Sequence, residues 1–304
     1  MANGSLHSLY LIPEATYGVT PATPALLTVR HTGCSLGTDK DSMQSEELRA
    51  DRQIADFRMG QNKVGGGIDV EVSTDVQFMT LLEALLGGTW ATNVLKAGTT
   101  RRWFSMLRKF GDSGFDKPYL LFTGVEVASA EFKITPDKIA TASFDTVAKT
   151  MTVSATAPTG ATFPATAVAA SPMDAFTGTI KEGGSVIGVV SDLSFKLDNG
   201  LDRRFVIGSK DTILPQIGRS NVTGSMTAYF ESAVMLEKFL NETQSSLEFT
   251  LTAGAKTLTF LLPAIKHTGG KPDVSGEGSI TLQMPFQAVY DATEATNIKI
   301  TRVP

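Results

Sequence analysis

Three histidines, one cysteine and a serine set between glycines are the residues of this chain best suited to chemistry. His7, His31 and His267 stand among residues that offer no other ligand at metal-site spacing, so no metal centre is expected. Gly111-Asp112-Ser113-Gly114 has the residue types of a serine nucleophile on a turn, and His31 could serve as its base. Only about 80 residues separate the two, Phe115 follows instead of Gly, and lone Cys34 cannot form the disulfides that staple secreted serine proteases. A polar turn is the simpler reading. Gly65-Gly66-Gly67 leads into a strand, whereas a phosphate cradle follows a strand and opens a helix; a flexible strand start or bulge is expected. Nothing places two carboxylates in a cleft for glycosidase work. No catalytic, metal or cofactor-binding residue follows from these patterns, and the chain is expected not to be an enzyme. The enzyme alternative, a β-rich hydrolase, needs convergent Ser, His and carboxylate groups that three histidines hardly supply.

A different kind of chemistry is offered by Gln44 to Arg58, which mixes both signs around only Leu48, Ile54 and Phe57. Such a segment is either a solvated face or an arm pairing with complementary charge on a neighbouring subunit, where mixed charges fix register more than affinity. Asp51-Arg52 is echoed later by Asp202-Arg203-Arg204. Glu46, Glu47, Arg49, Asp51, Arg52, Arg203 and Arg204 are therefore the candidate contacts between subunits.

The elements that must position these residues are mostly strands. Hydrophobic residues make up 42% of the 304 and charged residues 19%, enough apolar material for a sizeable core. A net charge of −4, from 27 Lys and Arg against 31 Asp and Glu, argues against a free-standing basic nucleic-acid binder. No apolar run approaches the roughly 18 residues of a membrane helix, and the N-terminus lacks a secretory pattern, so a soluble, unsecreted product is expected. Ile68, Val70 and Val72 alternate with Asp69, Glu71 and Ser73, predicting a strand buried on one face and wet on the other. A short amphipathic helix follows, capped within Ser73 to Asp75, carrying Phe78, Leu81, Leu82, Leu85 and Leu86, and stopped at Gly87-Gly88. Strands are predicted over 118–123, 125–134 and 149–153, with 137–146 in the same meander.

The pattern then returns. Asn221 to Phe230 can be laid on Lys63 to Val72 with Gly224 on Gly66, which matches Thr227 and Tyr229 to Asp69 and Glu71. Met235 to Asn241 falls on Leu81 to Gly87, with Ser232 as N-cap and Asn241 as the left-handed stop. Lys133 to Asp137 and Lys266 to Asp273 read as matching Lys-bearing turns with Pro-Asp. Shared order of unlike elements suggests a duplication. Residues 1–157 form a first unit with an N-terminal arm and charged loop, 158–179 an Ala/Thr/Pro-rich connector, and 180–304 a second unit.

Glu14 to Pro24, Gln44 to Arg49, Asp51 to Asp56, Gly65 to Ile68 and Leu81 to Trp90, taken in that order, resemble the tail tube (major tail) proteins of long non-contractile-tailed phages. The resemblance covers most of the chain and is strongest over the first 90 residues. It implies a mainly β tail-tube fold with short helices: two packed β-sheets plus a flanking helix, duplicated here, one sheet joining its neighbours into a barrel. It implies a structural protein of the virion tail, assembled in the host cytoplasm as stacked rings around a channel that conducts DNA during ejection. A chain of two fused units could close as a trimer with pseudo-sixfold symmetry, a hexamer being the alternative. The partners implied are further copies of the chain, tape-measure, tail-terminator and tail-tip proteins, and DNA in transient passage, with no membrane and no cofactor. The other role implied is a terminator or baseplate-hub ring on the same fold. Asp69, Glu71, Thr227 and Tyr229 are the candidate lumen-facing residues, and an acidic or neutral lining would let a polyanion slide.

Overall fold

The computed structural model describes residues 3–111, 114–164, 170–175, 178–274 and 276–303. The first half runs β1 (His7–Glu14), β2 (Leu27–Val29), β3 (Gly33–Cys34), β4 (Gly37–Gln44), β5 (Phe57–Glu71), α1 (Val76–Leu86), β6 (Val94–Lys96), β7 (Trp103–Phe110), β8 (Tyr119–Ile134), β9 (Thr141–Ala148) and β10 (Thr150–Ser154). The second half runs β11 (Ile180–Glu182), β12 (Ser185–Val186), β13 (Val190–Asp198), β14 (Asp202–Arg204), β15 (Ile213–Gln216), β16 (Asn221–Tyr229), α2 (Val234–Leu240), β17 (Ser245–Ala253), β18 (Lys256–His267), β19 (Lys271–Asp273), β20 (Thr281–Ala288) and β21 (Lys299–Val303). The fold is mainly β with two short helices, and every pairing between these strands is antiparallel.

One ladder crosses the whole chain: β3 and β4 pair β5, then β9, β8, β13, β16 and β20 follow, and β20 pairs the end of β18 and β19. The order β5–β9–β8–β7 in the first half recurs as β16–β20–β18–β17 in the second. The halves meet where β8 pairs β13, with Ile134 opposite Leu193 and Phe132 opposite Phe195. Phe132 and Phe195 stack with ring centroids 4.6 Å apart, and Phe249 and Phe260 of β17 and β18 pack onto them. A single buried cluster therefore draws on both halves.

Two strands differ from their sequence-based expectation. The strands predicted over 118–123 and 125–134 are one strand, β8, bent at Gly124 with φ 62°. Its first part pairs β7 and β10, its second β9 and β13. A Cβ at Gly124 would lie 2.9 Å from both the Lys149 Cβ and the Tyr17 ring, so glycine permits the bend and the close approach. Lys271-Pro272-Asp273 is the strand β19 and not a turn. Its partners Gln283, Leu282 and Thr281 give it the ladder position that Glu131, Phe132 and Lys133 hold in β8.

Helix α1 starts after Asp75 and ends at Gly87, which takes the left-handed conformation with φ 61°. The Asp75 carboxylate does not cap the helix, because Arg30, Ser73 and the Ala170 N–H claim it. In α2 the N-cap is Ala233, not Ser232, and Asn241 is not left-handed. The Asn241 N–H instead closes onto the Glu237 carbonyl, and the reversal comes one residue later at Glu242 with φ 52°. Six apolar residues of α1 are buried and none of α2, so the second helix lies more openly on its sheet. Within residues 158–179, Met173 is fully buried and joins the Val72 carbonyl to the Ala140 N–H.

Candidate functional site

Three features of this fold are exposed in the single chain: a wet sheet face, strands paired on one side only and the loop between β4 and β5. Period-2 alternation turns Asp69, Ser143, Glu131, Lys196, Thr223, Gln287 and Lys266 into one row across β5, β9, β8, β13, β16, β20 and β18. All are exposed or half-buried, while their neighbours Ile68, Phe144, Phe132, Phe195 and Met226 are in the core. Asp69 and Tyr229 are exposed, and Glu71 and Thr227 half-buried. The row balances carboxylates with amines. Glu131 is paired to Lys133 at 3.4 Å and Lys196 to Asp198 at 3.3 Å, so these lysines already have a counter-charge on their own strand. Lys196 and Lys266 were legible from their places between apolar neighbours, although attention to β5 and β16 alone passes over them.

The loop between β4 and β5 carries Glu46, Glu47, Arg49, Asp51 and Arg52, all exposed. Arg49 and Asp51 pair at 2.8 Å within it, and Ser45 N–H donates to the Asp56 carbonyl to close its base. Leu48 is 99% exposed, and Ile54 and Phe57 are exposed too, an apolar surface on a charged loop. Arg203 and Arg204 are not part of this loop. Arg203 Nη2 donates to the Val64 carbonyl at 3.1 Å, while Arg204 donates to the Leu214 carbonyl across the β14–β15 hairpin. The guanidinium of Arg203 passes where a Cβ at Gly65 would stand 2.9 Å from it, and Gly65 and Gly66 have φ 151° and 141°. The glycine triplet makes room for a crossing side chain and the Ser35 backbone; it is no phosphate loop.

The titratable clusters are internal. His31 donates through Nδ1 to the Val29 carbonyl at 3.1 Å, His7 Nδ1 meets His31 Nε2 at 2.7 Å, and Arg108 Nε donates to His7 Nε2 at 3.0 Å. Both nitrogens of each ring are engaged, leaving His31 no lone pair for a serine. Ser113 and Asp112 lie outside the described residues. Burial first, then the Arg108 and His31 charges, push His7 down to about 4. Glu182, Lys238, Ser245 and His267 form a second cluster. Burial raises the Glu182 carboxyl, but His267, Lys238 and Ser245 facing it outweigh that and hold it at about 2. His267 Nε2 stands 3.7 Å from Glu182 Oε1, beyond hydrogen-bond reach.

A cavity of about 350 Å³ between Ile134–Asp137 and Phe249–Leu251 has Asp137 and Asp192 as the titratable groups of its described lining. Among the described residues, no group of three or more His, Cys, Asp or Glu is placed to hold a metal, and no helix is long and apolar enough to cross a membrane. Compared with known proteins, residues 4–288 match the family model described as phage tail tube protein. No curated protein matches the chain.

Proposed function

Because the chain belongs to the phage tail tube protein family, we propose that it is a structural component of the virion tail whose copies join edge to edge into rings that stack as a DNA-conducting tube. The observation that carries this reading is the β8–β13 seam, where two strand sets of like order already join through their edges inside one chain. An open edge left by each set is a hazard unless another strand covers it, and closing a ring removes every edge at once. Residues 1–157 and 180–304 are then two tube units linked by 158–179. Three chains would supply six units, so we take the ring to be a trimer of pseudo-sixfold outline.

The row from Asp69 to Lys266, together with Glu71, Thr227 and Tyr229, then faces the channel. Its charge balance suits passage: tight DNA binding needs an excess of Lys and Arg to neutralise phosphates, and Lys133 and Lys196 are paired with carboxylates beside them. The β4–β5 loop, with Glu46, Glu47, Arg49, Asp51 and Arg52, meets the next ring, and tape-measure, terminator and tip proteins bound the tube. The role is architectural, with no catalysis and no cofactor, and assembly takes place in the host cytoplasm.

The test is electron microscopy of the concentrated protein with rotational analysis of ring views, and light scattering on the same sample. Hollow tubes built from three-chain rings support the reading. Six chains per ring would refute the fused-unit count, single rings that never stack would point to a terminator or hub, and monomers at every concentration, even with a tail-tip complex as seed, would refute self-assembly.

A further inference from the structure

A loop on one rim of the sheet and a cavity on the other carry matching apolar and charged groups. Strands β5, β8 and β16 run in one direction and β9, β13 and β20 in the other, so the start of β5 lies at the opposite rim from the end of β8 and the start of β13. Thr141 pairs both Glu71 of β5 and Lys133 of β8, which puts the cavity residues Ile134 to Asp137 just beyond the level of Glu71. Strand β5 spans 15 residues, and at about 3.3 Å per residue Phe57 stands on the order of 45 Å from that level, with the β4–β5 loop farther out still.

The arm that carries the loop is braced. Asn62 N–H donates to the Lys210 carbonyl at 2.8 Å, Asn62 Nδ2 to Asp211 Oδ1 at 2.6 Å, and Lys210 Nζ to the Met59 carbonyl at 3.1 Å, so the β14–β15 connection holds β5 where it leaves the sheet. On the loop, Leu48 has almost no cover, and Arg49 is already paired with Asp51. Glu47 and Arg52 make no ion pair among the described residues. The cavity at the other rim holds about 350 Å³, enough to bury a side chain and part of the chain that carries it. Ile134, Val190, Leu193, Phe249 and Leu251 give it apolar walls, and the exposed Asp137, Val186 and Gly188 put its mouth at the surface. Asp137 and the adjoining Lys138, both exposed, likewise make no ion pair among the described residues.

Identical rings that stack in one direction press one rim against the other, a heterologous contact that needs complementary surfaces on the two rims. From this placement, and resting on the stacked-ring assembly proposed above, we infer that the cavity between Ile134–Asp137 and Phe249–Leu251 receives the β4–β5 loop of a copy in the adjacent ring, with Leu48 filling it and Arg52 and Glu47 meeting Asp137 and Lys138 at its mouth. Leu48 supplies the affinity, because it is the group that leaves water, and the two ion pairs at the exposed mouth fix the register.

The test uses the full-length protein, with tubes counted by electron microscopy and pelleting, and the melting temperature as the check on folding. Leu48→Asp should raise the concentration at which tubes form about ten- to a hundredfold, the worth of one buried leucine, and leave the melting temperature unchanged. Leu48→Met, which keeps the volume, should stay within a few-fold of the parent. Gly188→Phe approaches the contact from the cavity side: a Cβ there meets nothing within 4 Å, so the ring enters open space and should block stacking as Leu48→Asp does. Glu47→Lys and Lys138→Glu should each shorten tubes, and together they should restore them. In a Cys34→Ser background, Leu48→Cys with Val186→Cys and a short bismaleimide should give covalent ladders longer than one ring, because a head-to-tail contact does not close, while Leu48→Cys alone should give none. Normal tubes from Leu48→Asp or from Gly188→Phe, or tubes of the double-cysteine variant that do not cross-link, overturn the inference and leave the tube reading intact. Failure of the Glu47–Lys138 exchange to restore tubes overturns the register. A parent chain that forms no tube under any condition overturns the stacked-ring reading and the inference with it.

Discussion

Truncating Phe132 tests whether the two halves share one core. The ring is 2% exposed, stacks on Phe195 at 4.6 Å and touches Phe144 and Phe260. Removing it withdraws on the order of 150 Å² of apolar surface, about 4 kcal/mol at 25 cal/mol per Å². A cavity between β8, β13 and β18 cannot fully collapse, because its walls are strands fixed in ladders. Phe132→Ala should therefore cost about 3–5 kcal/mol. Phe195→Ala should cost a similar amount, and the pair should be non-additive by about 1 kcal/mol, the coupling of a stacked aromatic pair. Urea unfolding followed by fluorescence and by limited proteolysis of each half is the assay. A single transition shifted in both halves is expected. A loss below about 1 kcal/mol, or two transitions of which only one moves, would refute a shared core at the seam.

Three other perturbations probe the loop, the histidines and the bend. Arg49→Glu with Arg52→Glu should shorten tubes while leaving the melting temperature unchanged, since neither side chain is buried; tubes of normal length by electron microscopy would remove the loop from the ring-to-ring contact. His7 stays neutral down to about 4 in the folded chain and protonates near 6.5 when unfolded. Only the unfolded state gains a proton between those values, so stability falls as pH drops from about 6.5 to about 4. The loss is about 1–2 kcal/mol after water screening of the half-exposed ring, and it should be smaller in His7→Gln by urea titration at pH 7 and 4.5. Gly124→Ala should cost more than about 1 kcal/mol in thermal unfolding, because alanine meets the Lys149 and Tyr17 side chains at a positive φ.

How much of this was legible depends on the range of the interaction responsible. Strand β5, helix α1 with its Gly87 stop, and the outward set of Asp69, Glu71, Thr227 and Tyr229 follow from alternation and capping within a dozen residues. The family resemblance followed from ordered segments spread along the chain. Local signals failed where a distant group took over the residue. A side-chain cap is expected within Ser73 to Asp75; Asp75 takes the N-cap position, but Arg30 and Ala170 occupy its carboxylate. Ser232 and Asn241 were matched to Ser73–Asp75 and Gly87, yet α2 is too lightly packed to reproduce that frame. Lys271-Pro272-Asp273 has turn chemistry, and only β20 beside it makes it a strand.

By itself, then, the sequence determined the class of the fold, the two recurring strand-helix patterns and which face of β5 and of β16 is wet, because these depend on residue spacing along the backbone. Only the tertiary structure decided that β8 bends at Gly124 to serve two sheets, that β8 joins β13, and that Arg108 reaches the Leu36 carbonyl. Those choices pair residues tens of positions apart, where the energy comes from edges and rings brought together by the whole chain and leaves no periodic trace in either partner.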